Sequence, residues 1–81
     1  MAKKIVFHPY ALYKMEKRGI TKADVEETMG EPYSIAEAKF GRRIAQRIYG
    51  KYLLRVVFEE YEGHCLVITA YPARAERYLR R

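Results

Sequence analysis

The chain has a single cysteine, Cys65, and therefore cannot form an internal disulfide. It also lacks the CxxC pairs and cysteine–histidine spacings that are typical of zinc sites. Both absences favour a reducing compartment, and we expect a soluble, cytoplasmic protein. Apolar residues make up 49% of the 81 residues, which is enough for one core. We therefore predict a single domain over residues 1–81.

Aspartate is scarce as well, because Asp24 is the sole one in the sequence. Metal-dependent nucleases need clustered carboxylates to hold a hard cation. The adjacent Glu59 and Glu60 lie in a predicted strand, where neighbouring side chains point to opposite faces. A glycine-rich phosphate loop is also missing. These observations predict neither a bound metal nor another cofactor.

Long apolar runs are absent too. No segment approaches the length of a membrane-spanning helix. The three apolar residues that follow Lys4 are too few for the core of a signal peptide. We therefore expect no association with a membrane.

The net charge of +6 is unevenly distributed along the chain. Residues 39–58 contain no acidic side chain and six basic ones, namely Lys39, Arg42, Arg43, Arg47, Lys51 and Arg55. Such segregation favours a polyanionic partner, usually a nucleic acid, and the guanidinium group matches phosphate oxygens. The alternative is a solvated basic surface without a ligand.

Two adjacent helices are predicted in the first half of the chain. Pro9 suits the first turn of a helix, and Gly19 suits the left-handed residue just beyond its end. Ala11, Leu12 and Met15 form its apolar face. A capping box then predicts a second helix from Lys22 to Met29: the hydroxyl of Thr21 and the carboxylate of Asp24 are three residues apart.

The remainder of the chain has strand patterns. Predicted strands cover Ile5–Phe7, a short edge at Ser34–Ala38, Arg43–Tyr49, Tyr52–Glu60 and Cys65–Tyr71, and Ala73–Arg81 forms either a terminal helix or a basic tail. The expected fold is α+β, with the element order β-α-α-β-β-β. Two N-terminal helices pack on one face of an antiparallel sheet of three to four strands.

The predicted turns determine which side chains share a face. A three-residue loop at Tyr61–Gly63 would place Val56 beside Ile68 and Phe58 beside Leu66, with Arg55 opposite Thr69. An odd-length loop at Gly50 would group Ile44, Ile48, Leu54 and Val56 in the core. The other face would then carry Arg43, Arg47, Arg55, Thr69 and Tyr71, with Val57 and Val67 between them.

These residues would suffice for a ribonuclease that works without a metal. Such an enzyme needs a base for the 2′-hydroxyl, cations for the phosphorane and an acid for the 5′-oxygen. His8 at a helix N-terminus would stay neutral and could act as the base. Arg47 and Arg55 could cradle the phosphate, and Tyr71 or Arg74 could serve the leaving oxygen. Bases could stack on Tyr49, Tyr52 and Tyr71.

Structural roles are open for the same residues. His8 also fits a capping or packing residue at the start of a helix, and Arg18 fits a partner for the helix carboxyl end. The sheet arginines also fit solvated side chains whose stems cover apolar surface. A non-catalytic module that binds nucleic acid or protein through the same basic face is therefore the alternative function.

Two motifs resemble a small prokaryotic family of unknown function. The segment His8–Thr21 is similar to its pattern H-A-x-x-R-M-x-x-R-G-I-T, and Val67–Tyr71 is similar to its V-I-T-x-Y. Lys14 stands where many members have arginine before the methionine. The family resembles the RelE/ParE and BrnT toxins, which have a small helix-plus-sheet fold.

The resemblance implies a RelE/BrnT-like domain that cleaves RNA without a metal as part of a toxin–antitoxin system. The implied partners are RNA, including ribosome-associated RNA, and an antitoxin protein. Combined with the residue patterns, it predicts the catalytic residues His8, Arg18, Arg55 and Tyr71. The predicted nucleic-acid-binding residues are Arg43, Arg47, Tyr49, Arg55, Thr69, Arg74 and Arg77.

Overall fold

The structure is a computed structural model that describes residues 3–75. Its elements are β1 (Lys4–Phe7), α1 (Pro9–Arg18), α2 (Lys22–Gly30), β2 (Ser34–Glu37), a short 3-10 turn (Lys39–Gly41), β3 (Arg43–Tyr49), β4 (Tyr52–Glu60) and β5 (His64–Arg74). No helix in this part of the chain is long and apolar enough to cross a membrane.

Local signals place both helices where the sequence predicts them. The Nδ1 atom of His8 accepts the backbone N–H of Tyr10 and so caps α1. Gly19 ends that helix in the left-handed conformation, with φ of 70°. The hydroxyl of Thr21 accepts the N–H of Asp24, whose carboxylate accepts the N–H of Thr21. The predicted capping box is therefore present.

The sheet differs from the expectation in size and direction. Within residues 3–75 it has five strands in the spatial order β1-β5-β4-β3-β2, whereas three to four were predicted. The pair β1–β5 is parallel, so the sheet is mixed rather than antiparallel. The two helices carry the chain from β1 at one edge of the sheet to β2 at the other edge, and β4 then returns it to the end of the sheet where β5 starts beside β1.

The core lies between this sheet and the two helices. Its buried residues are Ala11 and Met15 of α1, Val25 of α2, Leu54 and Val56 of β4, and Val67 and Ala70 of β5. A smaller cluster joins Ala45, Phe58 and Cys65. Met29 packs against both clusters. Leu12 was predicted to face the core, but it is 38% exposed.

The hairpin between β3 and β4 has a different register from the predicted one. Tyr49 pairs with Tyr52, which leaves the two-residue turn Gly50–Lys51 instead of an odd-length loop. Gly50 has φ of 61°, a conformation that suits the first position of a II′ turn. A register shift of one residue reverses the face of every side chain. Arg43 and Arg47 therefore lie on the helix-covered face, and Ile44 and Ile48 on the opposite one.

The pairing of β4 with β5 is also corrected. Val56 pairs with Ala70, Phe58 with Val67 and Arg55 with Tyr71, because a β-bulge leaves Ile68 as an extra residue between Val67 and Thr69. The bulge lets Val67 and Ala70 point to the same side of the sheet. Val67 is consequently fully buried in the core rather than placed among the arginines.

Strand β5 continues beyond Pro72, where we expected it to end. Proline lacks an N–H group and is tolerated where that side of the strand makes no ladder hydrogen bond. Strand β1 ends at Phe7, opposite Val67, so the outer edge of β5 is no longer paired with β1 when it reaches Pro72.

The terminal helix or tail predicted from Ala73 lies largely outside the described residues, since 73 and 74 belong to β5.

The capping box of α2 provides a stability test. Replacing Thr21→Ala removes the acceptor for the Asp24 N–H, and we expect it to lower the free energy of unfolding by about 1 kcal/mol. Urea denaturation followed by circular dichroism measures the change. Lys22→Ala, one residue later, keeps both capping bonds and should have a much smaller effect. An equal loss in the two variants would contradict the assigned cap.

Candidate functional site

One face of the sheet is covered by the two helices, and the face on the other side holds most of the candidate chemistry. Because strand side chains alternate, Val56 and Phe58 of β4 point toward the helices, while Arg55, Val57 and Glu59 point away from them. We call this second surface the distal face. It is defined by those three residues and their cross-strand neighbours on β3 and β5.

The middle of the distal face carries a guanidinium–aromatic pair. Arg55 pairs with Tyr71 across the strands, and its guanidinium carbon lies 5.6 Å from the centre of the Tyr71 ring. A cation at this distance from a ring face is attracted by the ring's negative face. Two of the predicted catalytic residues are thus brought together, although Arg55 is opposite Tyr71 rather than Thr69.

Arg18 reaches the same region from the end of α1. Its Nη1 atom donates to the carbonyl oxygen of Ala70 at 2.9 Å and to the hydroxyl of Thr69 at 3.3 Å. This contact is possible because β1 has ended at Phe7, which leaves the outer edge of β5 accessible to a side chain. The predicted site residues Arg18, Arg55, Thr69 and Tyr71 therefore lie in one region.

His8 lies elsewhere. It stands at the other end of α1, and ten residues of helix correspond to about 15 Å between His8 and Arg18. Its Nδ1 atom accepts the Tyr10 N–H at 3.0 Å, so a neutral ring carries its proton on Nε2. The exposed nitrogen of His8 is then a hydrogen-bond donor, whereas the sequence interpretation required a proton acceptor.

A second group of polar side chains lies at the end of the distal face. Arg42 donates from Nε to Oε2 of Glu59 at 2.8 Å, and the Tyr61 hydroxyl donates to Oε1 at 2.7 Å. The Tyr61 hydrogen bond, followed by the interactions with Arg42, holds the pKa of Glu59 below its usual value. A smaller contribution comes from the electrostatic interaction with His8, whose backbone N–H donates to the carbonyl oxygen of Val67 on the strand next to that of Glu59. We call His8, Arg42, Glu59 and Tyr61 the end cluster.

Sequence reasoning missed three members of the end cluster. The alternation of Glu59 and Glu60 does predict their separation, and Glu60 contacts Lys3 and Arg43 instead. However, Arg42 is 17 positions from Glu59 in the sequence and lies just before β3, whereas Glu59 is in β4. Only the register of β3 with β4 brings the two together, so no local signal could have identified the pair.

The other predicted basic residues are not on the distal face. Arg47 contacts the carboxylates of Glu27 and Glu31 on the helix side, and the Tyr49 hydroxyl donates to Glu27 at 3.0 Å. Arg43 also lies on the helix side, where it contacts Glu37 and Glu60. The prediction that Arg43, Arg47 and Arg55 share one face is wrong.

Two further predicted residues, Arg74 and Arg77, lie near the end of the sequence, and a third, Tyr52, is a cross-strand neighbour of Arg74. Arg74 pairs with Tyr52 at the far end of β5, on the helix side of the sheet. The predicted stacking residue Tyr52 is therefore also off the distal face. Arg77 lies outside the described residues.

The other titratable groups in the described part of the chain suggest no metal site or second reactive group. Within residues 3–75, no three histidine, cysteine, aspartate or glutamate side chains are grouped so that they could hold a metal ion. Cys65 is buried, and burial raises the pKa of its thiol, which keeps it protonated and unreactive at neutral pH.

Residues 8–72 match the model of a family described as a domain of unknown function, DUF4258. The match covers both helices and most of the sheet, including the end cluster and the Arg55–Tyr71 pair. No curated protein and no solved structure matches the chain.

The pKa of Glu59 can be tested directly. Because the folded pKa lies below the unfolded one, the ionised carboxylate stabilises the fold above a pH of about 4.3, and this stabilisation is lost as the pH falls through the folded pKa. Tyr61→Phe removes the largest cause of the shift. We expect a higher Glu59 titration midpoint in carbon-detected NMR, and no change in Tyr33→Phe. An unchanged midpoint in Tyr61→Phe would refute the assigned hydrogen bond.

Proposed function

The chain belongs to the DUF4258 family of domains of unknown function, and we propose that it is a toxin-like endoribonuclease that cleaves RNA without a metal. The observation that carries this proposal is the end cluster. It combines a carboxylate, a guanidinium, an imidazole and a phenol at the accessible end of one sheet face. The order of two helices followed by antiparallel strands also supports a RelE/BrnT-like fold.

The distal face can bind RNA at two places. Glu59 lies four residues from Arg55 along β4, which corresponds to about 13 Å in a strand. An RNA strand that follows β4 would reach both the end cluster and the Arg55–Tyr71 pair. At the second position, Arg55 would contact a phosphate and the Tyr71 ring a base.

The end cluster provides groups for the first chemical step. In this mechanism Glu59 accepts the proton of the 2′-hydroxyl as the 2′-oxygen attacks the adjacent phosphorus. Arg42 and the Nε2–H of His8 donate hydrogen bonds to the phosphorane oxygens. The bond to the 5′-oxygen breaks, and that oxygen takes a proton from water. The products are a 2′,3′-cyclic phosphate and a free 5′-hydroxyl.

We assign the base to Glu59 because of the hydrogen bond that His8 makes. The Nδ1 lone pair of His8 is occupied by the Tyr10 N–H, so the ring would lose the helix cap if it took a proton there. Glu59 is ionised, and its low pKa makes it a weak base as long as Arg42 is bound to it. A substrate phosphate would compete for Arg42 and thereby raise the basicity of Glu59.

A second candidate function is RNA binding without turnover. The observation that favours it is that both groups needed for catalysis already have partners within the protein. The Nδ1 atom of His8 caps α1, and the Glu59 carboxylate is paired with Arg42. In that case the Arg55–Tyr71 pair and Arg42 would provide affinity alone. An antitoxin partner belongs to the first proposal only, and an adjacent gene for a small DNA-binding protein would support it.

Cleavage in the presence of EDTA tests the catalytic proposal. We expect the wild-type protein to yield 2′,3′-cyclic ends, and Glu59→Gln to lose at least roughly a hundredfold in rate, the scale of a removed general base. His8→Asn keeps a good helix cap but removes the imidazole, whereas His8→Ala removes both. We expect both His8 variants to be slow.

Three results of this assay would count against the mechanism. Cleavage that EDTA abolishes would exclude metal-free chemistry. Full activity in Glu59→Gln would remove that residue from the reaction. Full activity in His8→Asn combined with a loss in His8→Ala would show that His8 acts as a cap alone.

Binding to RNA is tested by removing equal charge from the two sides of the sheet. Arg55→Gln on the distal face should weaken binding of uncleavable 2′-O-methyl RNA several-fold and reduce its salt dependence. Arg47→Gln on the helix side removes the same charge and should leave affinity nearly unchanged. Fluorescence anisotropy at several salt concentrations measures both. Equal losses would indicate a nonspecific effect of net charge and contradict binding on the distal face.

A further inference from the structure

Phe40 is held in an unfavourable backbone conformation and is exposed to solvent. Its φ is 63°, and it is the one non-glycine residue between positions 3 and 75 with a positive φ. Its side chain is 86% exposed, more than any other exposed large hydrophobic residue in the same range. A bulky residue in this backbone region is strained, and an exposed ring recovers nothing through burial. Neither feature contributes to the core.

The surroundings of Phe40 are cationic. Lys39, Gly41, Arg42 and Arg43 adjoin it in sequence, and the Arg42 guanidinium carbon lies 5.9 Å from the centre of its ring. The same guanidinium donates to Glu59 at 2.8 Å. The 3-10 turn therefore holds an exposed aromatic surface next to the end cluster.

We infer that Phe40 is a stacking surface for an unpaired RNA base whose phosphate contacts Arg42. The inference rests on the proposed function and specifies single-stranded RNA as the substrate class. An aromatic ring stacks on any base, and a neighbouring guanidinium binds the backbone phosphate. A base seated there lies one side chain away from Glu59, which places the linked phosphate at the end cluster.

The neighbours of Phe40 favour RNA over a protein partner. The centre of a protein interface is a packed apolar patch that is depleted of charge. Phe40 stands between a lysine and a glycine, and its ring lies beside the Arg42 guanidinium. The exposed Tyr33 and Ile35 lie just before and near the start of β2, at the end of that strand away from Phe40, and Ile35 is on its helix side.

The experiment measures stacking with an uncleavable single-stranded 2′-O-methyl RNA that contains 2-aminopurine. Stacking on an aromatic ring quenches this base, and we expect quenching with the wild type and with Phe40→Tyr. Phe40→Leu should abolish the quenching and weaken binding roughly tenfold. Tyr33→Leu removes another exposed aromatic ring, just before β2, and serves as the matched control, with binding unchanged.

A glycine variant separates binding from folding. Phe40→Gly removes the ring and accommodates the positive φ, so we expect a Tm equal to or above that of the wild type together with weakened RNA binding. A loss of affinity at undiminished Tm cannot be due to unfolding.

The outcomes distinguish this inference from the function on which it rests. If the wild type neither binds nor cleaves RNA, the proposed function fails and the inference fails with it. If the wild type binds RNA and Phe40→Leu behaves like Tyr33→Leu, the inference alone is overturned. If Phe40→Leu instead changes the mass in solution by light scattering while RNA affinity is unchanged, Phe40 is a protein contact and the inference is likewise overturned.

Discussion

The register between β3 and β4 determines which charged side chains a ligand can meet. Tyr49 pairs with Tyr52 across a two-residue turn, and this pairing sends Arg43 and Arg47 toward the helices. The same register brings Arg42 beside Glu59 on the other side of the sheet. A turn longer by one residue would exchange these positions, because alternation couples every side chain of a strand to one choice of register.

This register places some of the arginines on the helix side of the sheet and others on the distal face, where their partners differ. On the helix side, Arg43 and Arg47 are matched by glutamates of β2, β4, α2 and the end of α2. Exposed pairs of this kind contribute little stability, but they keep these cations from acting as a polyanion site. On the distal face, Arg55 contacts a ring, and Arg42 connects a carboxylate to the exposed Phe40. Net charge by itself would not distinguish the two sides.

At the junction between β1 and α1, His8 has both a structural role and a proposed functional one. His8 follows a strand whose last residue packs against the core, caps the helix through Nδ1, and contributes electrostatically to the low pKa of Glu59. Its position is therefore determined by folding requirements that are independent of any ligand. A residue fixed in this way is well placed to donate a hydrogen bond from Nε2, because its ring orientation is already set by the cap. The same geometry is what makes it a poor proton acceptor.

Local chemistry in the sequence determined both helices. Pro9, Gly19, Thr21 and Asp24 act on backbone groups within a few residues of themselves, so their effects can be derived without knowing the fold. The strand segments were likewise predictable from β-branched and aromatic residues, and so was the separation of Glu59 from Glu60.

Only the tertiary structure decided how the strands pair. Three pairings depend on which of several possible strand arrangements packs best. They are the parallel contact of β1 with β5, the turn at Gly50 and the bulge at Ile68. The odd-length loop predicted at Gly50 would have kept an arginine such as Arg47 on the face away from the core. The structure accommodates it at the margin, where glutamates meet it. The end cluster depends on those pairings, since Arg42, Glu59 and His8 come from three separate segments. The alternation of side chains gives each strand two faces, but the contacts between strands decide which face is buried in the core.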